Sequence, residues 1–208
     1  MRTPLAAAVI LAALAVGRTA RAEPVVGLRV AIAPAVGSAA GDVPVSDALS
    51  LQVPVQLDAL WRTGPFAAGV YGSWGIARDG ACGGGSCSAS VSRLGIQATW
   101  SFAPISGAEP WVGIGTGYEW AGASWKRSGT SVDTRWRGLE LAEAQGGVDW
   151  RLGRRLAVGP YLLVGVGRYS SYTVETAFES ATAEIAQKAV HAWIHVGVRG
   201  RLSFGDAP

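Results

Sequence analysis

Apolar residues recur at every second position along eight stretches of the chain, the signature of half-buried strands. In 25–36, Leu28, Val30, Ile32 and Val36 share one face and Gly27, Arg29, Ala31, Ala33 and Ala35 the other. In 49–62, Leu51, Val53, Val55, Leu57 and Trp61 oppose Gln52, Pro54, Gln56 and Asp58. In 65–78, Phe66, Val70, Trp74 and Ile76 oppose Gly69, Tyr71, Ser73 and Gly75. In 88–102, Leu94, Ile96, Trp100 and Phe102 oppose Arg93, Gly95, Gln97 and Thr99. The stretch 110–122 sets Val112, Ile114, Tyr118 and Trp120 against Gly113, Gly115, Gly117 and Glu119. The stretch 135–152 sets Ala142, Ala144, Val148, Trp150 and Leu152 against Glu143, Gln145, Gly147, Asp149 and Arg151. Its first half breaks phase at Leu139 and Leu141, which predicts a bulge near Gly138. In 156–174, Val158, Leu162, Val164 and Val166 oppose Tyr161, Gly165, Gly167 and Tyr169. In 190–204, Val190, Ala192, Ile194, Val196, Val198, Leu202 and Phe204 oppose His191, His195, Gly197, Arg199, Arg201 and Ser203.

Several of these stretches reach 12 residues or more, longer than the five or six of an average soluble strand and enough for the roughly 9–11 that cross a bilayer at a tilt. Their number is even, as in bacterial single-chain barrels. The connections 62–65, 103–109 and 153–155 are short, whereas 37–48, 79–87, 123–134 and 175–189 are long, the last with a helical tendency. Short turns on one side and long loops on the other fit a transmembrane barrel with its short turns in the periplasm. Aromatics mark both ends. Trp61, Trp100, Trp111, Trp150, Phe66, Phe102 and Phe204 lie near short turns, and Trp74, Trp120, Trp125, Trp136 and Tyr118 near long loops. They are expected to form two girdles. Trp193 has the parity of the polar face.

Composition sharpens the picture. Mean hydropathy is +0.25 with 16% charged residues and 29 glycines. Glycine at that density disfavours helix, and an apolar chain with no spanning helix and much glycine points to strands that span instead. Residues 1–22 read as a signal peptide: Arg2, the apolar run Leu5 to Val16, then Ala20-Arg21-Ala22 as the cleavage site. The barrel domain is then 23–208. Arg2, Arg18 and Arg21 account for three of the 18 basic residues, so 15 remain against 15 acids. The excess of positive charge leaves with the leader, and nucleic-acid binding is not expected.

These features resemble the small outer-membrane barrels of the OmpA, OmpX and OmpW type, over nearly all of the chain after the leader. The last strand, Val196-Gly197-Val198-Arg199-Gly200-Arg201-Leu202-Ser203-Phe204, resembles the family's terminal assembly signal, although Gly205-Asp206-Ala207-Pro208 follow the aromatic. The resemblance implies an all-β, eight-stranded antiparallel transmembrane up-and-down barrel in the outer membrane of a Gram-negative bacterium. It would be inserted by the barrel assembly machinery and be monomeric, with outer-membrane lipid and lipopolysaccharide as partners. A soluble lipocalin-like barrel is the competing fold, with its apolar faces turned inward.

Candidate chemistry lies on the polar faces: Arg29, Asp58, Arg93, Glu119, Glu143, Gln145, Asp149, Arg151, His191, His195, Arg199 and Arg201. Eight strands enclose an interior that side chains can fill. Acids and bases sit on different strands, so they are expected to pair across it, Glu143 included, in a barrel with a structural or surface-interaction role. The alternative is a narrow channel or carrier for small solutes or small hydrophobic ligands. His191 and His195 lie about 13 Å apart on an extended strand, too far for one metal ion, and no cofactor is expected. Cys82 and Cys87 flank Gly83-Gly84-Gly85-Ser86, where an oxidising compartment favours a local disulfide. No Gly-x-Ser-x-Gly elbow or His-x-Ser arrangement is present, so an enzyme is not expected.

Overall fold

The structure is a computed structural model that describes residues 22–78, 86–127 and 130–204. Residues 1–21 of the leader, Cys82 and the last four residues lie outside the described residues. Strands β1 (Glu23–Ala40), β3 (Leu51–Thr63), β4 (Phe66–Arg78), β5 (Ser86–Ser101), β6 (Ala108–Arg127), β7 (Thr130–Arg151), β8 (Leu156–Thr176) and β10 (His191–Ser203) form the wall. Each pairs antiparallel with the next, and β10 closes the ring on β1, with Val30 opposite Val198 and Val26 opposite Leu202. The eight strands thus make a closed up-and-down barrel, and closure leaves the wall no open edge. Two short strands are added at the long-loop end. Strand β2 (Val43–Pro44) pairs with β1, and β9 (Ser180–Glu184) pairs with β8; one helical turn, α1 (Val45–Ala48), follows β2.

Alternation decides which way each strand faces, and the outcome is opposite to a soluble barrel. Leu57, Ile76, Ile96 and Ile114 are 60%, 62%, 61% and 69% exposed on the outside, while Arg29, Asp58, Arg93 and Glu119 are buried inside. Charges that occupy the centre while aliphatic side chains cover the wall rule out the lipocalin-like arrangement. The outer wall is therefore a surface suited to hydrocarbon, not to water.

The turns follow from local chemistry. Gly64, at φ 59°, links the Thr63 and Phe66 pair. Gly107, at φ 84°, completes the 102–107 connection, where Ile105 bridges Ala108. Both positions are left-handed, which glycine adopts without a Cβ clash.

The structure corrects three expectations. Residues 123–134 are mostly strand: β6 runs to Arg127 and β7 starts at Thr130. Alternation fades there because this part stands beyond the apolar band, where Ser124, Lys126, Asp133 and Arg135 meet water on the outer face. Strands of 20, 22 and 21 residues for β6, β7 and β8 are about twice the length a crossing needs. The 175–189 connection holds the strand β9, not a helix. Thr173 and Thr182 share a hydrogen bond of 2.9 Å across that hairpin.

The third correction concerns the girdles. Trp61, Trp100, Trp150, Phe66, Phe102 and Phe204 are exposed outside at the short-turn end, and Trp74 and Trp120 at the other. Trp111, however, is buried in the interior. Trp125 and Trp136 pack against the internal apolar cluster. Position near a strand end was read correctly, but parity outranks it: Trp111 lies one residue off the outward row of Val112 and Ile114.

Candidate functional site: the filled interior

The interior side chains form layers stacked along the barrel axis. At the short-turn end, Glu109 and Asp149 are cross-strand partners on β6 and β7. Like charges this close repel, and four arginines, on β3, β7 and β10, offset them. Arg201, Arg151 and Arg62 approach Glu109 at 3.0, 3.3 and 3.4 Å. Arg199 is bonded to Asp149, with Arg201 also near at 3.8 Å. The Arg199 guanidinium lies 3.5 Å from the centre of the Trp111 ring, an arrangement favourable to a cation in a low-dielectric site.

The middle layer is organised by Arg29, which has no exposed surface. Arg29 stands opposite Arg199 in the β1–β10 register, and the two side chains diverge to different acids. Nε of Arg29 donates to Asp58 at 2.7 Å, one terminal nitrogen donates to Gln97 at 2.9 Å, and the other to Gln145. Gln56 and Gln97 donate to the second oxygen of Asp58 at 2.8 and 2.7 Å, and Gln145 donates to Gln97 at 2.8 Å. Rings of Trp111 and Tyr161 lie 5.7 and 5.5 Å from the guanidinium carbon. Five hydrogen-bonding side chains therefore form one connected network, the arrangement that makes buried charge tolerable.

Nearer the long loops, Arg93 donates to Glu119 at 2.7 Å and lies 3.9 Å from Glu140. Glu119 also accepts from Tyr169 and Trp193, and its Oε1 is 3.1 Å from His191 Nε2. Tyr169 stacks on His191 with ring centres 4.2 Å apart. Tyr71 donates to Glu140. Its ring reaches across because Gly95 and Gly117 carry no side chain: a Cβ there would fall 2.6 and 2.7 Å from Tyr71 atoms. Above this layer the interior turns apolar. Val45 and Leu49, at and just after α1, and Ile185 after β9 pack with Val91, Trp193 and a set of alanines. The loops tie together through the Gly41 N–H, which donates to the Gln187 carbonyl at 2.8 Å.

Of the interior candidates, Arg29, Asp58, Arg93, Glu119, Glu143, Gln145, Asp149, His191, His195, Arg199 and Arg201 are all buried on the inner face. Arg151 differs: its side chain is 50% exposed and stands at the short-turn mouth. Glu143 also departs from expectation. It is buried, but no arginine or histidine pairs with it among the described residues, and its Oε1 has no hydrogen-bond partner. His191 and His195 are not joined in a common site. His191 belongs to the Glu119 layer, and Nδ1 of His195 is unpartnered. Among the described residues, no three His, Cys, Asp or Glu side chains converge as a metal site. Cys87 opposes Trp125 at the start of β5 and is not a free thiol; Cys82 lies outside the described residues.

Two acids were missed. Glu140 lies at the predicted phase break, where the β7–β8 pairing shifts between Arg137 and Gly138 and again between Glu140 and Ala142. Leu139 and Leu141 are outward at 52% and 44% exposure, and Ala142 is outward too. Alternation through 135–141 turns Glu140 inward, whereas the phase of 142–152, carried back across the bulge, assigns it to the outer face. Glu109 falls in the short connection 103–109 by sequence but is already part of β6.

No protein-family model matches the chain, and none of the curated proteins matches it. Solved structures do. Neisserial surface protein A is 14% identical, with 87% of this chain and 97% of that chain covered at a TM-score of 0.53. A major outer membrane protein of Thermus thermophilus is 11% identical, with 87% and 99% covered at a TM-score of 0.52. The chain has the fold of the small outer-membrane β-barrels, and its outward apolar band is the matching membrane-facing surface.

Proposed function

We propose that this chain is an integral protein of the outer membrane of a Gram-negative bacterium, where it has a structural or surface-interaction role. Its short turns face the periplasm and its long strands rise outside. The reading rests on one observation above all. The polar interior is filled by paired charges and large side chains, with Trp111, Trp193, Arg29, Tyr71 and Tyr169 among those most fully buried. Such an interior supports the wall rather than a solute path. Closure of the ring supports a monomer, and the outward Phe204, whose N–H donates to Pro24 O at 3.0 Å, supports delivery by the barrel insertion machinery.

The test is conductance of purified protein in planar bilayers, with heat-modifiable gel migration as the check on folding. Folded protein with no steady conductance supports the reading. A stable channel of porin-like conductance would overturn the filled interior and favour passage of small solutes.

A further inference from the structure

The outer wall carries a charge feature that the barrel interior does not use. Cross-strand register places Tyr118 of β6, Leu139 of β7 and Arg168 of β8 in one row, and Trp120, Arg137 and Ser171 in the next row toward the long loops. Tyr118 and Leu139 face outward, and so do their row partners. Arg137 and Arg168 are exposed, Trp120 is 39% exposed, and the ring centres of Tyr118 and Trp120 lie 4.7 Å apart. Below these rows the wall is aliphatic, with Ile96, Ile114 and Val164. Two arginines thus stand at the upper border of the membrane-facing band.

Neither Arg137 nor Arg168 has a carboxylate within ion-pair distance among the described residues. Arg135, one row higher, does: Glu175 lies 3.4 Å from it. The next acid along the Arg137 row is Glu184, opposite Ser171 and two strands away, about 10 Å at the usual strand spacing. The two arginines lie on diagonal positions of adjacent strands, about 7–8 Å apart at Cα, close enough for both guanidinium groups to reach one anion. The backbone beneath them is held by Ser170, whose hydroxyl donates to the Arg137 carbonyl at 3.1 Å.

We propose that Arg137 and Arg168 form a binding site for the phosphate of an outer-leaflet lipid, whose acyl chain lies over Tyr118, Trp120 and Leu139. Guanidinium matches phosphate in charge and geometry. A lipid fits better than a soluble phosphate because the apolar half of the site is continuous with the hydrocarbon-facing wall. The proposal rests on the membrane reading above and assigns a partner to one place on it.

The test uses the full mature chain refolded into phosphatidylcholine vesicles that contain a minor fraction of acyl-brominated lipid. Bromine quenches tryptophan at contact, and a Trp120→Phe variant isolates the contribution of Trp120. Brominated phosphatidic acid should quench Trp120 more than brominated phosphatidylcholine at equal mole fraction, with local enrichment of roughly tenfold or more for two arginines. Arg137→Gln with Arg168→Gln should reduce that excess to the phosphatidylcholine level while heat-modifiable migration persists. Added inorganic phosphate should leave the excess in place.

Equal quenching by the two lipids in the unmodified chain overturns the site while leaving the membrane reading intact. An excess that survives in the double variant overturns the assignment to these arginines. Loss of the excess with inorganic phosphate shows a site for free anion instead. Absence of quenching by either lipid contradicts the membrane reading itself.

Discussion

Substitution of Arg29 by methionine tests the interior network where its connections are densest. Methionine preserves much of the side-chain length but removes the donors to Asp58, Gln97 and Gln145. Asp58 is 2% exposed and would keep only the Gln56 and Gln97 amides as partners. Loss of one member of a buried ion pair costs about 3–5 kcal/mol, because the surviving charge stays desolvated. With a urea dependence of about 2 kcal/mol per molar, the unfolding midpoint in vesicles should fall by roughly 2 M. The assay is equilibrium urea titration followed by tryptophan fluorescence. Arg29→Met with Asp58→Leu should lose about 2 kcal/mol less than the two single losses combined, since no lone charge remains. A single-variant loss below about 1 kcal/mol, or strict additivity in the double variant, would show that Arg29 and Asp58 are not coupled as described.

Three further outcomes follow from the same geometry. Glu143→Gln should leave the urea midpoint unchanged or raise it, because Glu143 has no ion-pair partner to lose; a fall of more than about 1 kcal/mol would reveal a partner. Gly117→Ala should destabilise the barrel by about 1–3 kcal/mol, since its Cβ would fall 2.7 Å from both the Leu94 carbonyl and the Tyr71 hydroxyl, and an unchanged midpoint would refute that close approach. Mass spectrometry of the unreduced, exported protein should find Cys82 joined to Cys87; alkylation of both thiols without prior reduction would exclude the bond.

Much of this architecture is legible in the sequence because a barrel wall with lipid outside and charge inside obeys a strict period of two. Residues such as Leu28 and Arg29, or Leu57 and Asp58, each sit between opposite environments, and one glance at parity separates them. Legibility ends where that contrast ends. Beyond the membrane band, residues such as Ser124 and Asp133 meet water, so the strand around them leaves no hydrophobic signal. The bulge at Leu141 shifts the phase by one residue and conceals Glu140, and Trp111 shows that a strand-end position does not fix the side of the wall. The pairing of acids with bases could be foreseen in kind but not in detail. Arg29 selects Asp58 from the neighbouring strand, whereas Tyr71 reaches Glu140 only because Gly95 and Gly117 clear its path. Such a route depends on four strands at once and leaves no trace in any one of them.

The orientation of the wall is tested most directly by nuclear Overhauser effects between detergent acyl chains and protein methyl groups in micelles. Ile32, Leu57, Ile96 and Ile114, which face outward, should show strong contacts to the acyl chain. The methyls of Leu163, buried inside, should show none. Acyl-chain contacts at Leu163, with water contacts at Ile96 and Ile114, would mean that the barrel is turned the other way and would contradict the account.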